Sequence, residues 1–200
     1  MSKLRAGVVG AGAFGRIHAR KYAEDARVHF VGVFDPDDER ADQLADTHGA
    51  QAFASLDALL AATDIVTIAS PPSLHAGAAR SALRAGKHAL IEKPLATDAK
   101  DGAELVRIAA QQNLVLACGH QERLVFEAMG LFGTPEEPSY IESVREGPWT
   151  GRSADVSVTL DLTVHDLDLA LRLLGRKPER VSARAKAEHG SAADWLEAKL

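Results

Sequence analysis

Gly10, Gly12 and Gly15 stand in the spacing G-x-G-x-x-G, after the apolar run Ala6–Val9 and at the start of a stretch with helical periodicity. That arrangement can hold a pyrophosphate. The first glycine lets the chain turn tightly, the second lets phosphate approach the backbone, and the third lets helix and strand pack closely. The phosphates then face the unpaired N–H groups at the positive end of a helix, with Ala13 and Phe14 between the second and third glycines. Asp35 follows twenty residues after Gly15, at the end of the next apolar run, Val28–Phe34. A carboxylate there accepts hydrogen bonds from both ribose hydroxyls and repels a 2′-phosphate. No Lys or Arg follows until Arg40, so the segment favours NAD over NADP. Asp37 and Asp38 read instead as turn and N-cap residues of the next helix.

Three further groups could do chemistry. Ser70-Pro71-Pro72-Ser73-Leu74-His75 follows the apolar run Ile65–Ala69. Its two prolines make a stiff loop that could line the cofactor, or a mere connector with His75 near a helix start. Glu92-Lys93-Pro94 follows Ala89–Ile91. Charges at the end of a buried strand need partners, so Lys93 either points into a cleft or sits in an exposed turn. Proline keeps Lys93 out of the helical region, and such a bond can be cis. Asp161 and His165 stand four apart on an expected helix, with Asp168 three further on, so they share a face. A carboxylate beside an imidazole orients it and raises its pKa, which suits a general base taking a hydroxyl proton while hydride leaves the same carbon. The alternative makes Asp161 an N-cap and His165 an ordinary core or surface residue. No histidine spacing matches a metal motif, and no metal is expected.

These groups need elements to position them. Strand-like runs are expected at Ala6–Val9, Val28–Phe34, Ala50–Phe53, Ile65–Ala69, Ala89–Ile91 and Leu114–Ala117. Helical stretches alternate with them at Gly15–Glu24, Asp38–His48, Ser55–Ala61, His75–Ala85 and Asp98–Gln111, with Ser55 and Thr97 as N-caps and Gly49 and Gly86 as C-caps. Continuous apolar strands alternating with helices give a parallel sheet covered on both faces, with ligands at the strands' carboxyl ends. The pattern changes after Gln121. Glu122–Phe132 and Asp161–Leu174 read as helices. Tyr140–Val144, Val156–Leu160, Arg180–Ala187 and Trp195–Leu200 read as strands. The expected class is α/β, a doubly wound Rossmann domain over residues 1–120 followed by an α+β domain over 121–200.

Composition narrows the partners. A net charge of −5 gives no footprint for nucleic acid, and no apolar run approaches a membrane-spanning length. The single cysteine, Cys118, excludes an internal disulfide and fits a reducing cytoplasm. It lies in an apolar run and reads as a small buried hydrophobe.

Gly10-Ala11-Gly12-Ala13-Phe14-Gly15, Ser70-Pro71-Pro72-Ser73-Leu74-His75, Glu92-Lys93-Pro94 and Asp161-Leu162-Thr163-Val164-His165-Asp166 together resemble the Gfo/Idh/MocA oxidoreductases. The resemblance spans essentially the whole chain. It implies an NAD-binding Rossmann domain and a C-terminal domain with a large open, mostly antiparallel sheet that mediates dimers or tetramers. It implies sugar, polyol or nucleotide-sugar substrates. Lys93 looks like the family's catalytic lysine, His165 like its acid/base and Asp161 like the neighbouring carboxylate. Ser70, Pro71, His75, Glu92, Lys93 and Gln121 join the glycine loop and Asp35 as expected cofactor contacts. Gly119-His120-Gln121-Glu122-Arg123 is similar to a stretch in members that oxidise the 3-hydroxyl of UDP-N-acetylglucosamine-type sugars. The Leu124-Val125-Phe126 that follows departs from their Phe-Asn-Pro. The chain is shorter than family members, so its open sheet is expected to be truncated. The alternative function is a non-catalytic NAD-binding or sensing relative.

Overall fold

The computed structural model describes residues 2–133, 138–149 and 156–200. The chain forms two compact units, Met1–Gly119 and His120–Leu200.

The first unit alternates strand and helix: β1 (Leu4–Val9), α1 (Ala13–Glu24), β2 (Val28–Phe34), α2 (Asp38–His48), β3 (Gln51–Ala52), α3 (Leu56–Ala62), β4 (Ile65–Ile68), α4 (Pro72–Arg84), β5 (His88–Ile91), α5 (Ala99–Gln111) and β6 (Leu116–Cys118). The strands are all parallel, in the order β3-β2-β1-β4-β5-β6. Side chains alternate across a strand, so Val8 and Val9 serve different cores. Val8, Phe30 and Val33 pack with Ala19 and Leu44 of α1 and α2. Val9, Ile68 and Ile91 pack with Leu59, Leu83 and Leu105 of α3, α4 and α5. Helices therefore cover both faces, and the winding reverses between β1 and β4. The carboxyl ends of these two strands open the crevice where such sheets bind ligands.

Local chemistry sets the helix ends. The Asp37 carboxylate accepts from Arg40 N at 3.2 Å, and Ser55 Oγ accepts from Ala58 N at 3.2 Å. At α5 the cap is Asp98, which accepts from Lys100 N at 2.6 Å, one residue beyond the expected Thr97. Helix α4 begins at Pro72, three residues before the expected start. The ring fixes φ near the helical value, and the missing N–H belongs to a position with no intrahelical acceptor.

The second unit contains α6 (Glu122–Ala128), a 3₁₀ turn (Leu131–Gly133), a π-helical turn (Thr159–Thr163) running into α7 (Val164–Leu174), and the antiparallel pair β7 (Ser182–Lys186) and β8 (Trp195–Lys199). Three expected elements differ in the structure. The single helix expected over Glu122–Phe132 stops at Ala128, because Gly130 takes a left-handed φ of 74°. Residues 138–149 form neither helix nor strand, so Tyr140–Val144 is no strand. Ser143 and Arg145 from that segment instead bond side chains of the helices. Val156–Leu160, whose alternation suggests a strand, turns helical from Val158 and enters the π turn. The backbone is thus already helical ahead of Asp161, which excludes its reading as an N-cap. Among the described residues, no helix is long and apolar enough to cross a membrane.

Candidate active site

Polar or glycine residues lie just past the carboxyl ends of the strands that could feed the crevice. Gly10 follows β1, Asp35 follows β2, Ser70 lies just past β4, Glu92 and Lys93 follow β5, and Gly119 follows β6.

The glycine loop divides its labour. Gly10 has φ 99°, and a Cβ there would lie 2.8 Å from backbone atoms of Ala69 and Ser70. A Cβ on Gly15 would stand 1.8 Å from Gly10 O. A Cβ on Gly12 would meet nothing within 4 Å. The outer two positions are thus closed by protein, and the middle one is open. Helix α1 starts beside that opening with no side-chain cap and no acid in its first turn. Its N–H groups and dipole are left for an anion. Phe14 is half-buried and Ala13 exposed in this turn.

Asp35 is anchored by two backbone donors, Ala11 N–H at 2.7 Å on Oδ2 and Asp37 N–H at 2.9 Å on Oδ1. A carboxylate has about four acceptor sites, so two remain for ribose hydroxyls. The nearest following cation, Arg40, pairs with Asp37 at 3.0 Å. Both observations fit a ribose without a 2′-phosphate.

The Ser70 hydroxyl is buried and has no hydrogen-bond partner among the described residues. Such a group costs about 1–3 kcal/mol unless a ligand or water completes it. With the opening at Gly12, this orphan oxygen makes the crevice fit a dinucleotide. Pro71 is exposed just before α4.

His75 is 1% exposed. Its Nε2 lies 2.9 Å from Ser70 O and its Nδ1 2.7 Å from Pro94 O, so the ring braces the β4 loop against the cis Lys93–Pro94 turn. Glu92 Oε1 lies 2.7 Å from His18 Nε2 on α1, and its carboxylate also packs on Gly119. Lys93 is half-buried at the end of β5.

The second unit holds the other expected residues. His165 is 6% exposed in the first turn of α7, and Asp161 is half-buried in the π turn before it. Gln121 is exposed just ahead of α6. A carboxylate from a different element, Glu122 Oε1, stands 3.6 Å from His165 Nδ1. Arg145 grips Glu122 with both terminal nitrogens, at 2.9 and 2.6 Å, and grips Asp166 through Nε at 3.0 and 2.8 Å. Ser143 Oγ donates to Asp166 at 2.7 Å. The Arg145 hydrogen bonds hold the Glu122 carboxyl below its usual range, against the opposing effect of burial. Between the same two carboxylates the Arg145 guanidinium is raised above its usual value.

A second ion pair joins α6 to α7. Arg123 forks onto both oxygens of Asp168, and His120 Nδ1 lies 3.6 Å from Asp168 Oδ2. Burial pushes the Asp168 carboxyl up, yet the Arg123 hydrogen bond and the neighbouring cations leave it lower than usual.

The sequence reading missed Glu122, Arg145 and His18 as site-related residues. Glu122 and Arg123 open the helix that follows β6 in sequence, a position that invites such a search. Arg145 has no local signal, because its partners lie over twenty residues away on either side.

Comparisons with known proteins agree with this geometry. The Gfo/Idh/MocA sequence model, described as an oxidoreductase family with an NAD-binding Rossmann fold, matches residues 4–120. UDP-N-acetylglucosamine 3-dehydrogenase from Acidithiobacillus ferrooxidans is 41% identical over 202 residues, covering 99% of this chain and 63% of that protein. Its crystal structure superposes with a TM-score of 0.89 at 40% identity, again over 99% of this chain and 63% of that one. GenD2 of gentamicin A biosynthesis, solved with NAD, superposes with a TM-score of 0.84 at 28% identity, over 99% of this chain and 62% of that one. Inositol 2-dehydrogenase from Rhizobium meliloti is 30% identical over 195 residues, covering 91% of this chain and 58% of that protein. The chain therefore spans about three-fifths of the length of these relatives. A parallel Rossmann sheet, an intact dinucleotide loop and a family match over more than half of the chain lead to one assignment: this chain belongs to the Gfo/Idh/MocA family of NAD-binding oxidoreductases.

Proposed function

We propose that the protein oxidises a secondary hydroxyl of a sugar, polyol or nucleotide sugar with NAD, with a UDP-N-acetylglucosamine-type sugar as first choice. The observation that carries the reading is the contrast within the glycine loop, where Gly10 and Gly15 are sealed by backbone and Gly12 faces open space. The choice of sugar rests on the 41% identity to a UDP-N-acetylglucosamine 3-dehydrogenase along 99% of this chain.

Each residue then has a role. The N-terminus of α1 binds pyrophosphate, Asp35 holds the adenosine ribose, and Ser70, Pro71, Glu92 and Gln121 complete the cofactor contacts. His75 holds the two loops that bear Ser70 and Lys93. When bound, NAD supplies the hydride acceptor. The Lys93 ammonium donates a hydrogen bond to the substrate oxygen as negative charge develops there. His165 takes the hydroxyl proton, with Asp161 as a neighbouring carboxylate. Residues 120–200 contribute the substrate side and, through the exposed β7–β8 pair, contacts between copies of the chain. A single-chain mass in solution would remove that last element.

The test combines NAD titration with a sugar panel followed by nicotinamide absorbance. Lys93→Ala and His165→Asn are expected to bind NAD near the wild-type affinity and to lose at least about a hundredfold in turnover. Wild-type turnover in both variants would overturn the residue roles. NAD binding with no transfer to any sugar or polyol would favour a non-catalytic binding protein.

A further inference from the structure

His165 can act as a base through one ring nitrogen only if its proton sits on the other. The group that would hold that proton comes from outside α7. Glu122 Oε1 approaches His165 Nδ1 at 3.6 Å, within ion-pair range but longer than a formed hydrogen bond. Catalytic hydrogen bonds are often loose before substrate binds and tighten in the loaded complex.

Glu122 cannot easily turn away. Both of its oxygens are held by Arg145, which also holds Asp166, the residue next to His165. The His165, Glu122 and Arg145 side chains are 7%, 27% and 32% exposed. One guanidinium thus fixes a carboxylate from α6 and a carboxylate from α7 in one planar fork. A structural ion pair between α6 and α7 already exists in Arg123–Asp168. The Arg145 fork adds a feature that pair lacks, an anion directed at the Nδ1 side of His165.

Resting on the reading of His165 as acid/base, we propose that Glu122, locked by Arg145, is its positioning residue, keeping the proton on Nδ1 and leaving Nε2 to exchange a proton with the substrate hydroxyl. Asp161 and Glu122 then differ in kind. Asp161 precedes His165 within the same helical run, whereas Glu122 meets the ring from a different helix.

The experiment reads tautomer and kinetics together. Ring ¹⁵N shifts of His165, recorded while the ring is neutral, are expected to show Nδ1–H in the wild type and a mixture in Glu122→Ala. Turnover of Glu122→Ala should fall about tenfold to a hundredfold, KM should stay within about threefold, and Glu122→Asp should recover part of the loss. Arg145→Gln keeps the carboxylate but frees it, and should reproduce the mixed tautomer; it also serves if Glu122→Ala does not fold. An unchanged tautomer, or turnover within about twofold of wild type, overturns the proposal. His165→Asn measured alongside separates the two readings. If it alone loses turnover, the role of Glu122 fails and that of His165 stands. If it keeps turnover, the acid/base assignment itself fails.

Discussion

The carbonyl oxygen of Gly10 occupies the place where a side chain on Gly15 would begin, since an ideal Cβ there stands 1.8 Å from it. No rotamer relieves such a clash, because both atoms belong to the backbone framework. The turn therefore brings α1 against the end of β1 too closely for any side chain at position 15. The opening at Gly12 is held in place by its two neighbours.

Two substitutions separate packing from binding. Gly15→Ala must push α1 off β1 and is expected to cost more than about 3 kcal/mol or to prevent folding. Gly12→Ala finds free space on an extended backbone of φ −70° and ψ −168°, so stability should change by less than about 1 kcal/mol. On the proposed reading the same methyl occupies the approach of the pyrophosphate, so NAD affinity should fall at least about tenfold. Thermal unfolding and NAD titration on both variants check this. An unaltered NAD affinity in Gly12→Ala would show that the phosphates do not lie there.

Asp35→Ala removes the acceptor for the N–H groups of Ala11 and Asp37 and, on the proposed reading, for two ribose hydroxyls. A hydrogen bond to a charged group contributes about 1.5–3 kcal/mol, so NAD affinity should drop roughly tenfold to a hundredfold. Loss of the carboxylate also removes the repulsion of a 2′-phosphate, so the preference for NAD over NADP should narrow. A wild-type preference for NADP in parallel titrations would contradict this account of Asp35.

The first unit was legible because its signals are local. An apolar strand, a glycine turn and a capped helix lie within a few residues of one another, and the caps Asp37 and Ser55 and the left-handed Gly49 were readable individually. Val156–Leu160 failed for a physical reason. Val156, Val158 and Leu160 alternate as a strand would, but the backbone is helical from Val158 and a widened π turn takes in Leu160. Tyr140–Val144 failed because β-rich composition does not supply a partner strand, and its neighbour Arg145 is committed to two helices. The Glu122–Arg145–Asp166 fork joins residues 21 and 23 apart in sequence, beyond any helical or strand period.

Removing Arg123 tests the junction between α6 and α7. The Asp168 side chain is 12% exposed, so Arg123→Ala leaves a largely buried carboxylate with His120 and Arg172 as its neighbouring cations among the described residues. The expected cost is about 2 kcal/mol, less than for a fully buried pair because Arg123 itself is 43% exposed. Asp168→Asn added to Arg123→Ala should recover part of the loss, because it removes the stranded charge. Additive effects in denaturant unfolding of the two single variants and the double variant would show that the pair carries no coupling.

The opposite end of the Rossmann sheet offers a stability test that leaves the crevice untouched. Asp64, just ahead of β4, accepts from Arg5 N at 2.9 Å, Arg5 Nε at 3.2 Å and Arg5 Nη2 at 2.6 Å. These bonds hold its carboxyl at about 2, from an ordinary value of 3.8. A folded-state value below the unfolded one means that the pair stabilises the fold at pH above about 4. That contribution is lost progressively as pH falls through about 2, where the folded carboxyl takes its proton. The Asp64 and Arg5 side chains are 36% and 49% exposed, so solvent screening keeps the effect small at neutral pH. Asp64→Asn cannot ionise, so the stability gap between wild type and variant should be full at pH 7 and close between pH 4 and pH 2. NAD binding should be unaffected, because the pair lies at the amino end of β1 and β4. A gap that stays constant from pH 7 to pH 2 would mean that the charge on Asp64 contributes nothing and that its shape alone matters.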